Sequence, residues 1–141
     1  FITPHIVKAV EGGELDSIYT TPRSTMVSAE VYEHIVEGMR LAVTDGTCRG
    51  ANLPGIEVCG KTGTAQNKGK DHSAFMGFAP MHNPKIAIAV YVENGGFGAT
   101  YGVPIGALMM EQYLNGSLSE ESEAKAETIQ NRVIRYAAGE R

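Results

Sequence analysis

From Ser28 to Thr44 apolar side chains recur at helical spacing. Val31, Ile35, Met39 and Val43 fall every fourth position, and Tyr32 and Val36 widen the stripe. Asp45-Gly46 follows as a stop signal. The period then changes. In Ile56 to Gln66, Ile56 and Val58 alternate with Glu57, which is strand spacing. Asn67 to Lys70 reads as a turn and His72 to Ala79 as a second strand. Pro80-Met81-His82-Asn83-Pro84 makes the next turn. Lys85 to Val92 is almost continuously apolar, which predicts a central strand covered on both faces. A second helix opens at Val103-Pro104, turns Ile105, Leu108, Met109 and Tyr113 inward, and stops at Asn115-Gly116. Pro4 to Gly13 and Pro22 to Ser24 read as extended connections. The pattern predicts an α+β fold, a three-stranded antiparallel meander packed with two main helices, over residues 1–116. Residues 117–141 form an acidic tail. Ile129, Val133 and Tyr136 give that tail the spacing of a short amphipathic helix, although a frayed terminus is the simpler expectation.

The chemistry concentrates in Gly55-Ile56-Glu57-Val58-Cys59-Gly60-Lys61-Thr62-Gly63-Thr64-Ala65-Gln66. Gly55 to Thr62 fits the phosphate-binding pattern G-x-x-x-x-G-K-S/T, which needs a strand before the first glycine and a helix after the hydroxyl residue. Here the order is inverted. The alternation lies inside the pattern, a loop (Gly50 to Pro54) precedes it, and a turn follows it. A nucleotide-binding loop is therefore the weaker reading. The stronger one is a strand whose lysine, threonines and glycines face an anionic, peptide-like ligand.

Four ordered blocks support the second reading. They are Val58-Cys59-Gly60-Lys61-Thr62-Gly63-Thr64-Ala65-Gln66, Phe75-Met76-Gly77-Phe78-Ala79-Pro80, Asn83-Pro84-Lys85-Ile86-Ala87-Ile88-Ala89-Val90 and Glu93-Asn94-Gly95-Gly96. Together they resemble the C-terminal part of the transpeptidase domain of class B penicillin-binding proteins, over about residues 1–114, with Lys-Thr-Gly as the third catalytic motif. The resemblance implies a partial penicillin-binding, β-lactamase-like transpeptidase fold. It also implies that Lys61 adds positive potential where acylation develops negative charge and assists proton transfer. The hydroxyls of Thr62 and Thr64 would bind the terminal carboxylate of a stem peptide ending in D-alanyl-D-alanine, or that of a β-lactam. Gly63 would let the ligand backbone approach, and the Thr64 N–H would supply half of an oxyanion hole. Period-two geometry puts both threonines on one side of the strand, as such a clamp requires. No cofactor is implied.

Two of the family's motifs are missing. The nucleophile belongs to Ser-x-x-Lys and a relay serine to Ser-x-Asn, both upstream of Lys-Thr-Gly. No Ser-x-Asn occurs in the chain, and Ser122-Glu123-Ala124-Lys125 lies downstream in the glutamate-rich tail. A solvated tail gives a serine no preorganised base. Tyr113-Leu114-Asn115 reads as the end of a helix. The chain is thus expected to be a piece of a longer enzyme whose remainder carries the nucleophile and an N-terminal membrane anchor.

The remaining features narrow this picture. The 141 residues are 43% apolar and 20% charged with a net charge of −4, which suits a globular piece and gives no support for nucleic-acid binding. The run Ile86 to Val92 is far shorter than a membrane span, and no targeting segment is visible. His5, His34, His72 and His82 have no metal-ligand spacing. Asp71-His72-Ser73 cannot converge as a triad, because alternate strand residues face opposite ways. Cys48 and Cys59 stand where the family more often has alanine, and a disulfide between them is one expectation, two buried thiols the other.

The function expected is that of a peptidoglycan D,D-transpeptidase, facing the periplasm, inhibited by β-lactams and partnered in the longer protein by the cell-elongation machinery. This piece alone is expected to be inactive. A non-catalytic binding module of the same fold and, more remotely, a nucleotide-binding protein are the alternatives. If Ile86 to Val92 is an open edge here, it is apolar and free of charge or proline, so self-association is a further expectation.

Overall fold

The structure is a computed structural model and describes residues 1–134. It divides into two compact units, residues 1–33 and the described residues from 34 onward. No helix among the described residues is long and apolar enough to cross a membrane.

The first unit has little buried surface. Its N-terminal ammonium donates to the Arg23 carbonyl at 2.7 Å, and the Arg23 N–H returns a bond to the Phe1 carbonyl at 2.7 Å. A single bridge joins Val10 and Gly13. The one-turn helix α1, Ser17–Thr20, is capped by the Asp16 carboxylate, which accepts from the Ile18 N–H at 2.9 Å. The helix α2, Ala29–Thr44, starts in this unit and ends in the next.

In the second unit, α2 reaches the core only near its end. Val43 is fully buried and Ala42 packs against the core, whereas Ile35 is 51% exposed and Leu41 61% exposed. A 3-10 turn, Arg49–Ala51, follows. Leu53, Pro54, Gly55 and Ile56 then form a β-turn closed by the Ile56 N–H on the Leu53 carbonyl at 3.3 Å. Pro54 precedes Gly55, whose φ is +73°, so the turn needs a residue without Cβ at that point. Because of this turn the first strand begins later than the alternation suggested. Ile56 and Val58 are buried as core residues, but β1 is Cys59–Ala65.

The strands β2, His72–Ala79, and β3, Ile86–Val92, complete an antiparallel meander in the order β1-β2-β3. The registers place Thr62 opposite Phe75 and Phe75 opposite Val90. The expected central, doubly covered strand is instead an edge strand of the described sheet. Along β3 the β-branched Ile86, Ile88, Val90 and Val92 are half-buried, and Ala87, Ala89 and Tyr91 are exposed. The exposed positions carry alanines and a tyrosine rather than charged residues, so an unbroken apolar run imitated double coverage.

The helix α3, Gly102–Asn115, covers the sheet on one side. It ends where the sequence placed its stop: Gly116 has φ +78° and its N–H returns to the Gln112 carbonyl at 3.0 Å. Its inward face differs from the expected one. Val103, Gly106, Ala107 and Met110 are buried, while Met109 is 54% exposed and Tyr113 63% exposed. The helix is apolar on most sides, so periodicity did not select a face. Small residues select it. A Cβ on Gly106 would lie 2.6 Å from the Phe75 ring, and one on Gly102 would lie 3.0 Å from Phe75 Cβ. Only that face allows the helix to descend onto the strand.

The tail is folded as far as it is described. Helix α4, Glu120–Gln130, is capped by Ser119 and packs on α3. Ile129 lies in α4 and Val133 beyond its end, and Tyr136 is outside the described residues. A buried polar contact replaces the expected frayed end. Glu111 of α3 is 5% exposed and Ser122 of α4 is 4% exposed. The Ser122 hydroxyl donates to one Glu111 oxygen, and the Ser119 N–H donates to the other at 3.0 Å. Burial alone raises the Glu111 pKa. The hydrogen bonds from Ser122 and Ser119, with a contribution from the Lys125 charge, outweigh burial and hold it below the usual carboxylate value.

Two outcomes test this packing. Gly106→Ala forces a methyl group against the Phe75 ring and is expected to destabilise the chain by about 1–3 kcal/mol, read as a lower urea midpoint at unchanged slope. The folded-state pKa of Glu111 is depressed, so its contribution is present above the unfolded carboxylate value and is lost as pH falls through the folded one. Acid titration followed by the Ser119 and Ser122 amide resonances should therefore show α4 releasing at low pH. Glu111→Gln should remove that transition.

Candidate active site on strand β1

The site is built on β1 and the turn that ends α2. Lys61, Thr62, Gly63 and Thr64 lie mid-strand, opposite Met76, Phe75, Ala74 and Ser73. A β-hairpin and no helix follows them, so the strand cannot wrap a phosphate and the nucleotide-binding reading fails. Alternation along β1 divides the four residues. Thr62 and Thr64 share the side of Phe75 and Ser73, which α3 covers; Lys61 and Gly63 share the outer side. On that outer side a shallow apolar depression of about 370 Å³ is lined by Lys61, Gly63, Ala74, Met76, Ala89 and Tyr91.

The side chains are held to different degrees. Lys61 is exposed, and its ammonium donates to the Thr62 carbonyl at 3.0 Å. Thr62 is half-buried, and its Oγ1 is 2.8 Å from Oγ1 of Thr47. Thr64 is exposed and lacks that contact. In an antiparallel ladder the N–H and C=O of one residue point the same way, and those of the residue two along point with them. The Thr64 N–H therefore projects to the same edge of β1 as the Thr62 carbonyl that receives Lys61. The order β1-β2-β3 leaves one edge of β1 unpaired among the described residues.

Two supports of the site were not singled out from the sequence. Thr47 is one; its only local signal is its place in Gly46-Thr47-Cys48 ahead of the strand. Arg40 is the other. Its guanidinium donates to the Val58 carbonyl at 2.9 Å, tying α2 to the residue before β1. A cation on a helix flank carries no sequence signal for such a bond.

The remaining candidates have structural partners. His72 Nδ1 accepts from the Asn94 N–H at 2.9 Å, and its ring lies 5.2 Å from that of Tyr91. Ser73 is fully buried, donates to the Phe97 carbonyl at 2.8 Å and accepts from the Gly102 N–H at 3.1 Å. His72 and Ser73 face opposite sides of β2, as the alternation requires. Ser122 is buried, contrary to its expected place in a solvated tail, but its hydroxyl is committed to Glu111, and Lys125 pairs with Glu121 at 2.7 Å. Among the described residues no cluster of three or more metal-ligating side chains exists.

Of the two expectations for the cysteines, the structure has the buried thiols: Cys48 and Cys59 are both free and fully buried. Cys48 packs in the core with Val43 and Ala51, which occupies its thiol as a small apolar group. Burial pushes the Cys59 thiol up; the Arg40 guanidinium opposes this and the Glu57 carboxylate adds to it.

A strand with Lys-Thr-Gly-Thr at an unpaired edge, backed by a C-terminal helix, defines a class, and comparison with known proteins gives the same class. Residues 1–112 match the penicillin binding protein transpeptidase domain, and the chain belongs to that family. The peptidoglycan D,D-transpeptidase PbpA of Mycobacterium tuberculosis is 35% identical over 127 residues, covering 80% of this chain and 26% of the relative. Among solved structures, Pseudomonas aeruginosa PBP2 in complex with WCK 5153 aligns with a TM-score of 0.58 at 35% identity, over 71% of this chain and 23% of that one. The ceftriaxone acyl-enzyme of penicillin-binding protein A from M. tuberculosis aligns with a TM-score of 0.57 at 32% identity, over 62% and 22%. The chain thus spans about a quarter of the length of these proteins.

Free thiols have a direct readout. Alkylation of the denatured, unreduced chain should add two labels, and alkylation of the folded chain should be far slower at both cysteines because burial makes them inaccessible. A chain that takes up label only after reduction would contradict this state.

Proposed function

We propose that this chain is the Lys-Thr-Gly-bearing part of a peptidoglycan D,D-transpeptidase of the penicillin-binding protein 2 type. Such an enzyme cross-links stem peptides through an acyl-serine intermediate and is acylated by β-lactams. The observation that carries the proposal is the placement of Thr62 and Thr64 on one side of β1, with Lys61 and Gly63 on the other and the family match around them. In this reading the nucleophilic serine comes from elsewhere in the longer protein. No Ser-x-Asn occurs in this chain, and Ser122 is engaged by Glu111.

The roles follow from the chemistry of each group. The hydroxyls of Thr62 and Thr64 donate to the carboxylate of the D-alanyl-D-alanine terminus or of the β-lactam, which as an anion can only accept. The Thr64 N–H, on the edge that also carries the Thr62 carbonyl, supplies one donor to the oxyanion that forms at the attacked carbonyl. Lys61 leaves its resting bond to the Thr62 carbonyl and turns its ammonium toward the nucleophile, where positive charge favours serine deprotonation and the tetrahedral anion. Gly63 places no side chain between the strand and an extended ligand lying along it. The longer protein would act on the outer face of the cytoplasmic membrane, held by an anchor outside this chain, and would work with the cell-elongation machinery.

The test is acylation of the full-length protein by benzylpenicillin. Lys61→Ala should lower the second-order rate about a hundredfold or more, the scale of a lost electrostatic donor in acyl transfer. An unchanged rate would overturn the role of this strand. A full-length protein that forms no penicillin adduct at all would point to a non-catalytic module of the same fold.

A further inference from the structure

The hydrogen bond between Thr47 and Thr62 joins the proposed ligand-binding strand to a turn that sequence patterning left without a function. Thr47 sits on a fixed support. The Asp45 and Gly46 amides both return to the Leu41 carbonyl, at 2.8 and 3.1 Å, and the Cys48 N–H returns to the Ala42 carbonyl at 2.9 Å. Gly46 lies so close to α2 that a Cβ there would come within 2.8 Å of Ala42 Cα. Cys48, the next residue after Thr47, is fully buried in the core. The turn is clamped on both sides of Thr47, while Thr47 itself is exposed and aims its hydroxyl at Thr62, 2.8 Å away.

Thr62 is confined independently on another side. Gly98 packs so closely over β1 that a Cβ there would fall 2.9 Å from Thr62 Cβ and 2.8 Å from the Gly63 carbonyl oxygen. The Thr62 side chain is thus bounded by the 97–98 backbone and tied to Thr47. Among the described residues no side-chain hydrogen bond holds Thr64, which is exposed.

We propose that Thr47 is a positioning residue that orients the Thr62 hydroxyl toward the carboxylate of the peptide or β-lactam. This rests on the transpeptidase reading above. The direction of the bond follows from the inventory of donors. An ionised carboxylate is acceptor-only, so Thr62 must give it the proton; the Thr62 oxygen then accepts from Thr47. The chain Thr47 to Thr62 to carboxylate is one in which each bond polarises the next. It also removes rotamer freedom that the ligand would otherwise have to freeze. The ammonium of Lys61 plays no part in it, because Lys61 lies on the other side of β1.

The experiment uses the full-length protein and two probes, benzylpenicillin and its methyl ester, which lacks the charged acceptor. Thr47→Val should lower the second-order acylation rate by benzylpenicillin about three- to tenfold, the range of one neutral hydrogen bond. The methyl ester rate should hold, and the melting temperature should stay at the wild-type value. Thr47→Ser should restore the benzylpenicillin rate. In a Thr62→Val background, Thr47→Val should cost nothing further. Equal losses with both probes, or additive losses in the double variant, would overturn the proposal and leave the role of Thr62 standing. If Thr62→Val alone leaves benzylpenicillin acylation unchanged, the carboxylate clamp fails and this proposal fails with it.

Discussion

The seat of the Phe75 ring is the constraint on which the second unit depends. Four glycines surround this side chain. A Cβ on Gly60 would lie 2.5 Å from the ring, on Gly77 2.8 Å, on Gly106 2.6 Å and on Gly102 3.0 Å from Phe75 Cβ. They come from β1, β2 and α3, so one aromatic side chain fixes three elements at distances that no larger residue allows. Interiors are packed to the density of organic crystals, and such a seat has a single arrangement. Phe75 stands opposite Thr62. The residue that sets how closely the helix approaches the sheet therefore also sets which residues of β1 face which way.

The polar work is arranged around that seat. On the helix side of β1, Thr62 is held by Thr47 and bounded by Gly98, while Ser73 uses both of its hydrogen-bonding functions on the segment 97–102. The Asn94 N–H reaches His72 from the same stretch of chain. The glycine-rich segment 94–98 thus serves as a strap across the end of the sheet, with φ of +56° at Asn94 and +76° at Gly96. The outer side differs. Lys61, Met76 and Tyr91 are exposed there around a shallow apolar depression. The rigid helix side holds the Thr62 hydroxyl in place, and the open outer side leaves the Lys61 side chain exposed.

Strand and helix identity was legible in the sequence where one period dominated. His72–Ala79 is bounded by turn residues on both sides and came through residue for residue; the helix to Thr44 was one residue out at its start. The failures have physical reasons. Ile56 and Val58 alternate like a strand, but Pro54-Gly55 fixes a turn whose exit precedes the ladder. β3 has no charged position that would mark its exposed side, and α3 is apolar over its first nine residues, so coverage had to be decided by close approach, which depends on residues far away in the chain. The docking of α4 hinges on Glu111, a lone acid in an apolar helix, and on a serine eleven residues later. Nothing local distinguishes such a carboxylate from a solvated one. The candidate site residues form one contiguous motif, whereas Thr47 is fifteen residues away from Thr62 and joins it only through the fold.

The two cysteines beside the site are both buried. Cys59 begins the strand that carries Lys61, and Cys48 follows the threonine that holds Thr62. Oxidation or alkylation of a thiolate at either place would wedge open the core beside the site. Burial answers this twice: it excludes reagents, and it raises the Cys59 pKa so that the reactive anion is scarce. The same desolvation acts on Glu111 with the opposite outcome, since two donors and a nearby lysine outweigh it and keep the carboxylate charged. Burial alone therefore does not decide the state of an ionisable group here. The hydrogen bonds offered to it do, and the fold offers them where a charge holds two helices together and withholds them where an anion would be reactive.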